Sequence, residues 1–159
     1  MSGAQFTHDP LCRCGDCGQP LVVDPTACDA NGLTALHYSC IYAQTDCVQI
    51  LLKTAFLNNV GAKEPVTGRT ALHLAAFNGF QTGLLLLCHN PQCDLNARDR
   101  EGNTALHLAA LNGHESCVKA LLYYSETAHF MLDLNAKNRL GRTALHLASQ
   151  WGYQGMKKN

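Results

Sequence analysis

Four soft or borderline metal ligands fall between His8 and Cys17: His8 itself, Cys12, Cys14 and Cys17. Three thiolates and one imidazole suit tetrahedral Zn2+. Cys14 and Cys17 have the spacing of a zinc knuckle, in which two thiolates hold one metal and Gly18 lets the chain turn. A segment this small has no hydrophobic core, so its order would come from the metal. Structural zinc supplies on the order of 10 kcal/mol or more of coupled folding energy. With no open coordination position and no general base nearby, the expected role is structural. The competing expectation is a disordered leader with incidental cysteines.

Four further histidines, His37, His73, His107 and His146, recur in register along the chain. Copies a repeat apart are too dispersed to share a metal, so they are expected to bond to backbone and neighbouring turns. Cys40, Cys47, Cys88 and Cys117 stand at apolar positions, where a reduced cysteine behaves as a small hydrophobe. Cys28 and Cys93 have no clear partner. Nine cysteines is an odd number, and the two groups do not form a disulfide framework, so a reducing compartment is expected. Nucleophilic catalysis needs a thiolate beside a positioned base. Here the cysteines are placed as core residues or as metal ligands, so no active site is expected.

The elements that must position these residues are set by a repeat. One heptapeptide begins at Thr34, Thr70, Thr104 and Thr143, and the last three copies read TALHLAA, TALHLAA and TALHLAS. The copies start 36, 34 and 39 residues apart, a period that marks a solenoid. A glycine stands two residues upstream of each threonine (Gly32, Gly68, Gly102, Gly141), where a tight turn with positive φ is expected. The threonines can cap the helices that follow. Asn78-Gly79 and Asn112-Gly113 can end them in the left-handed conformation. Ala75, Ala76, Ala109 and Ala110 allow close helix approach. Leu84, Leu87 and Cys88, like Val118, Leu121 and Leu122, put an apolar stripe on a second helix.

This pattern resembles the ankyrin repeat over roughly Asp29 to Gly155. The resemblance implies an all-α ankyrin-repeat solenoid. Where the family usually has proline after the threonine, this chain has Ala35, Ala71, Ala105 and Ala144, all good helix formers. The expected organisation is a zinc-binding hairpin and linker over 1–28, then repeats over 29–63, 64–97, 98–136 and 137–159. The last repeat is incomplete, with its second helix missing and Trp151 exposed, as expected of a fragment of a longer chain.

Twelve basic and twelve acidic residues leave no net charge, so bulk electrostatics favours neither nucleic acid nor an anionic membrane. The longest apolar run, Leu84 to Cys88, is far short of the ~20 residues that span a bilayer. No secretory signal is visible at the N-terminus. The expected location is cytoplasmic, with any membrane association peripheral.

A cysteine-rich hairpin directly before ankyrin repeats, with the segments Cys117 to Tyr124 and Trp151 to Gly155, resembles the VARP family of endosomal VPS9-domain ankyrin-repeat proteins. One departure lies in the metal motif, where His8 stands in place of the first cysteine. The resemblance implies an adaptor recruited to endosomes, lysosomes and transport vesicles. It implies that the hairpin binds retromer's small subunit through Pro10 and Leu11, and that the repeats bind GTP-loaded Rab proteins through Gln81, Leu85, Lys119 and Tyr123. A longin-type R-SNARE is a further implied partner, although its surface extends over repeats beyond these. The family's nucleotide-exchange domain is not in this sequence, so exchange activity is not expected. For Tyr123 two expectations stand: an interface anchor, or a residue half-buried under a loop from Ser125 to Leu134. The alternative for the whole chain is a generic ankyrin module, such as a transcription regulator or ubiquitin-ligase adaptor, with a dispensable leader.

Overall fold

The computed structural model describes residues 24, 26–54, 59–128 and 131–150. Among them are seven α-helices and no strand, with one isolated antiparallel bridge between Cys28 and Thr34. The helices are α1 (Ala35–Ile41), α2 (Thr45–Lys53), α3 (Ala71–Asn78), α4 (Gln81–Cys88), α5 (Ala105–Leu111), α6 (Glu115–Thr127) and α7 (Ala144–Gln150). Helices α1, α3, α5 and α7 stack in sequence as an inner row. Helices α2, α4 and α6 form an outer row, each packed on the inner helix of its own repeat. The fold is an all-α ankyrin solenoid, as the repeat pattern implies.

Inner helices of seven or eight residues are too short to persist alone in water. Capping and stacking hold them. In α1, α3 and α5 the box is reciprocal: the Thr hydroxyl accepts the His N–H, and the Thr N–H donates to the His Nδ1 at 3.1–3.2 Å. That acceptor role assigns the proton to Nε2, which donates to a backbone carbonyl at 3.0–3.1 Å: His73 to Asn103 and His107 to Arg142 in the next repeat, and His37 to Ala62 at the end of its own. Each of these histidines therefore caps its own helix, His73 and His107 also tie it to the next repeat, and His37 ties it to the loop that leads there. Burial lowers the pKa of all three, so the neutral form is the folded one.

The core follows the expected stripes. Leu72, Ala75, Ala76, Leu84, Leu87, Ala109, Ala110 and Leu121 are buried, along with Cys40, Cys88 and Cys117. Cys47 departs from its expected place and is exposed. Cys117 holds the same register on α6 and is covered because α4 lies alongside. Among the described residues no outer helix precedes α2, so Cys47 lacks that cover. Burial pushes the Cys40, Cys88 and Cys93 thiols up to about 12 and Cys117 to about 11. Among the described cysteines, alkylation of the native protein at pH 8, read by peptide mapping, should label Cys28 and Cys47 first and these four only on unfolding. Early labelling of Cys88 or Cys117 would contradict the packing.

Between the helix pairs, the turns carry the glycines in left-handed conformation, with φ of 76° at Gly32 and 71° at Gly68. Each turn is tied by the side chain that opens it. Asp29, Asp99 and Asn138 each accept two backbone N–H groups of their own turn. Glu64 takes this position in the second repeat, one residue further from its threonine, and its longer carboxylate accepts from the N–H groups of Val66, Thr67 and Arg69 and from the Thr67 hydroxyl. Burial acts to raise the Glu64 pKa, but those donors together outweigh it and hold the carboxyl at about 2.

The folded Glu64 pKa lies below the unfolded value, so the unfolded chain binds more protons in acid. The stability that Glu64 contributes is present above about pH 4.5 and is lost as pH falls towards 2. The three buried histidines, also lowered, add a separate loss that begins below about pH 6.5. Urea midpoints taken from pH 8 to 3 should fall in two stages. Glu64→Gln should flatten only the lower one.

Candidate protein-binding surface

The outer surface is built by α4 and α6, which pack side by side. Gln81 is the first residue of α4 and is exposed, whereas Leu85, one turn later, is half-buried and packs against the core. On α6, Lys119 is exposed, and its Nζ lies 2.5 Å from Glu115 Oε1 one turn earlier. Tyr123 follows one turn after Lys119 and is 68 % exposed. The segment read as a loop from Ser125 does not cover it, because α6 continues to Thr127. The neighbouring Tyr124 instead turns inward, edge-on to His89 with ring centroids 5.2 Å apart. Thus the structure places Lys119 and Tyr123 together on one helix face, with Gln81 and Leu85 on the adjacent helix.

Lys119 also borders an apolar groove of about 400 Å3 where α5, α6 and α7 meet Leu134 and Asn135. Leu106, Val118, Leu122 and Leu145 line it, with Glu115 on its wall. Leu145 is largely exposed. Residues 151–159, which follow α7 and include Trp151, lie outside the described residues, as do His8, Pro10, Leu11, Cys12, Cys14 and Cys17.

A match to a family model describing ankyrin repeats in three copies covers residues 11–99 and 84–158. The chain belongs to the ankyrin-repeat family. This ankyrin-repeat chain is similar to the photoreceptor ankyrin repeat protein of Homo sapiens, at 36 % identity over 58 % of the chain and 20 % of that protein. It is similar to the B-cell lymphoma 3 protein homolog of Mus musculus, at 37 % identity over 47 % of the chain and 17 % of the relative. A third relative is Rabankyrin-5 of Mus musculus, at 34 % identity over 58 % of the chain and 8 % of the relative. The chain thus spans a fifth or less of these curated relatives. Ankyrin repeats are protein-binding modules, and the family match brings no catalytic domain with it.

Sequence reasoning passed over one feature of the ankyrin-repeat array. The turn face carries a basic residue six or seven places before Thr70, Thr104 and Thr143, namely Lys63, Arg98 and Lys137. Their regular offset from each box was the available signal. A chain with no net charge gave no reason to look for it.

Proposed function

We propose that this chain is a non-enzymatic adaptor of endosomal and lysosomal membrane trafficking that binds a GTP-loaded Rab through its outer helices. Tyr123 carries the reading: an exposed tyrosine one turn from an exposed lysine on a well-packed helix is the kind of anchor that dominates interface energetics. Lys119 holds Glu115 in the free chain and offers the same ammonium to a carboxylate of the partner. Gln81 and Leu85 on α4 extend the surface across the neighbouring repeat. Likeness to Rabankyrin-5, whose name joins Rab to ankyrin, supports the same direction.

The donor set His8, Cys12, Cys14 and Cys17 suits one structural zinc ion, and the hairpin so formed would present Pro10 and Leu11 to retromer's small subunit. The same resemblance brings a longin-type R-SNARE as a third partner. On this reading the protein is cytoplasmic and is recruited to endosomes, lysosomes and transport vesicles by these contacts.

Calorimetry against Rab proteins of the lysosome-related class tests the first claim. Binding should require the GTP form, and Tyr123→Ala should weaken it by about tenfold or more. Equal binding of GDP and GTP forms, or none of either, would remove the Rab reading. Native mass spectrometry should find one zinc in the parent and none in Cys14→Ser; a metal-free parent would remove the hairpin.

A further inference from the structure

We infer that the turn face of the array is a second binding surface, separate from the α4–α6 face, and that it takes an extended acidic peptide segment. Between residues 59 and 143 this face exposes five cations, Lys63, Arg98, Arg100, Lys137 and Arg139, against three exposed carboxylates, Asp94, Glu101 and Asp133, while Arg142 donates to Gln150 on α7 at 2.8 Å. The remaining two acids of the turns are spent internally. Glu64 is buried among the N–H groups of its own turn, and Asp99 is buried between its turn and Arg69, whose Nε lies 3.5 Å away. Of the three exposed acids, Asp133 stands 4.0 Å from Arg98, a distance at which it screens only one member of the row.

The cations are held in a line by the stacking of the repeats. Lys63 Nζ donates to the Arg98 carbonyl at 2.6 Å, and Arg98 Nη1 donates to the Lys137 carbonyl at 2.7 Å. Equivalent residues of three successive repeats are thereby chained together, with further donors on Lys63 and Arg98 left over. Beside them the Arg100 N–H donates to the Thr67 carbonyl at 2.8 Å, and the Arg139 N–H donates to the Glu101 carbonyl at 2.9 Å. Arg100 lays its stem on Gly68, where an added Cβ would meet Arg100 Cγ at 3.0 Å. The apolar part of the side chain is thus covered by the preceding turn, while the residue as a whole stays exposed. A row with fixed backbones and packed stems loses less entropy on binding than free surface lysines would.

The spacing decides the shape of the ligand. Packed helices stand about 8–10 Å apart, so successive turns do as well. An extended chain advances about 3.3 Å per residue, which puts one carboxylate in every three residues in step with the row. A nucleic-acid strand carries a phosphate about every 3.4 Å of its axis, roughly three for each turn of the array. Most of its charge would meet no cation of the row, so a polypeptide with one acid in three is the occupant the geometry favours.

Fluorescence anisotropy tests this with the full chain and three labelled probes: (Glu-Gly-Ser)4, a peptide of the same composition with its glutamates contiguous, and a four-phosphate single-stranded oligonucleotide. The periodic peptide should bind best at low salt. Its affinity should fall about tenfold or more in Arg100→Ala/Arg139→Ala, and likewise when salt is raised to 0.5 M. Both positions are exposed, and circular dichroism checks that the double variant is folded. Tyr123→Ala should leave this binding unchanged, which separates failure here from failure of the Rab reading. Equal or better binding of the oligonucleotide, no preference for the periodic peptide, or insensitivity to the double substitution would each overturn the inference.

Discussion

His73→Ala should destabilise the protein by about 3 kcal/mol, while His146→Ala, in the same Thr-Ala-Leu-His box, should cost under about 1 kcal/mol. His73 is fully buried. Its Nδ1 accepts the Thr70 N–H at 3.2 Å, and its Nε2 donates across the repeat boundary to the Asn103 carbonyl at 3.0 Å. Removing it leaves the Thr70 N–H buried without its acceptor and opens a cavity between α3 and the third turn. The Asn103 carbonyl keeps one donor, the Asp99 N–H at 2.9 Å, which limits the loss. A lost cap costs about 1 kcal/mol, and the stranded donor with the missing side chain accounts for the rest. His146 makes the same Thr143 contacts, yet it is exposed, so water replaces whatever is removed. Urea denaturation of both variants checks the contrast. Equal losses would mean that the histidine acts only as a local cap and that the link between repeats contributes little.

Gly83→Ala should also destabilise, by about 2 kcal/mol, against the sign expected from helix propensity. Alanine in place of glycine inside a helix ordinarily gains up to about 1 kcal/mol. Gly83 lies in the first turn of α4, and a Cβ there would sit 2.0 Å from Cε1 of the Phe80 ring. Phe80 is buried and belongs to the core cluster, so its ring cannot swing aside without disturbing the repeat. Overpacking of this kind costs about 1–3 kcal/mol and reverses the propensity gain. In the third repeat the corresponding residues are His114 and Cys117, and the His114 ring is turned away to the Phe77 carbonyl at 2.9 Å, which leaves room for a side chain at Cys117. The two positions share one space, so Phe80→Leu should make Gly83→Ala much less harmful, and a double-mutant cycle should show coupling above about 0.5 kcal/mol. A stabilised Gly83→Ala, or an additive cycle, would show that the ring yields freely.

Local features were legible in the sequence because their causes are local. A glycine with positive φ, a threonine cap and an alanine that admits a neighbouring helix each act through a few bonds or one contact, and they repeat four times. The helix pairs, the turn glycines and the structural role of His37, His73 and His107 could therefore be read from residue types and spacing alone. The length of α6 was less accessible. Its final turn is polar, and the apolar pattern that signals the helix has already run out by Ser125.

Neighbours along the stack set everything that repeated motifs cannot distinguish. Identical boxes bury His73 and expose His146. One register covers Cys117 and leaves Cys47 open. Two acidic side chains that count towards neutrality, Glu64 and Asp99, are drawn into their own turns, which leaves a cationic face on a chain with no net charge. Sequence determined the repeating unit, because each unit is specified by short-range hydrogen bonds and backbone conformation. Only the tertiary structure decided which copies are buried, which charges remain outside and where Tyr123 stands, because those depend on what the next repeat places alongside.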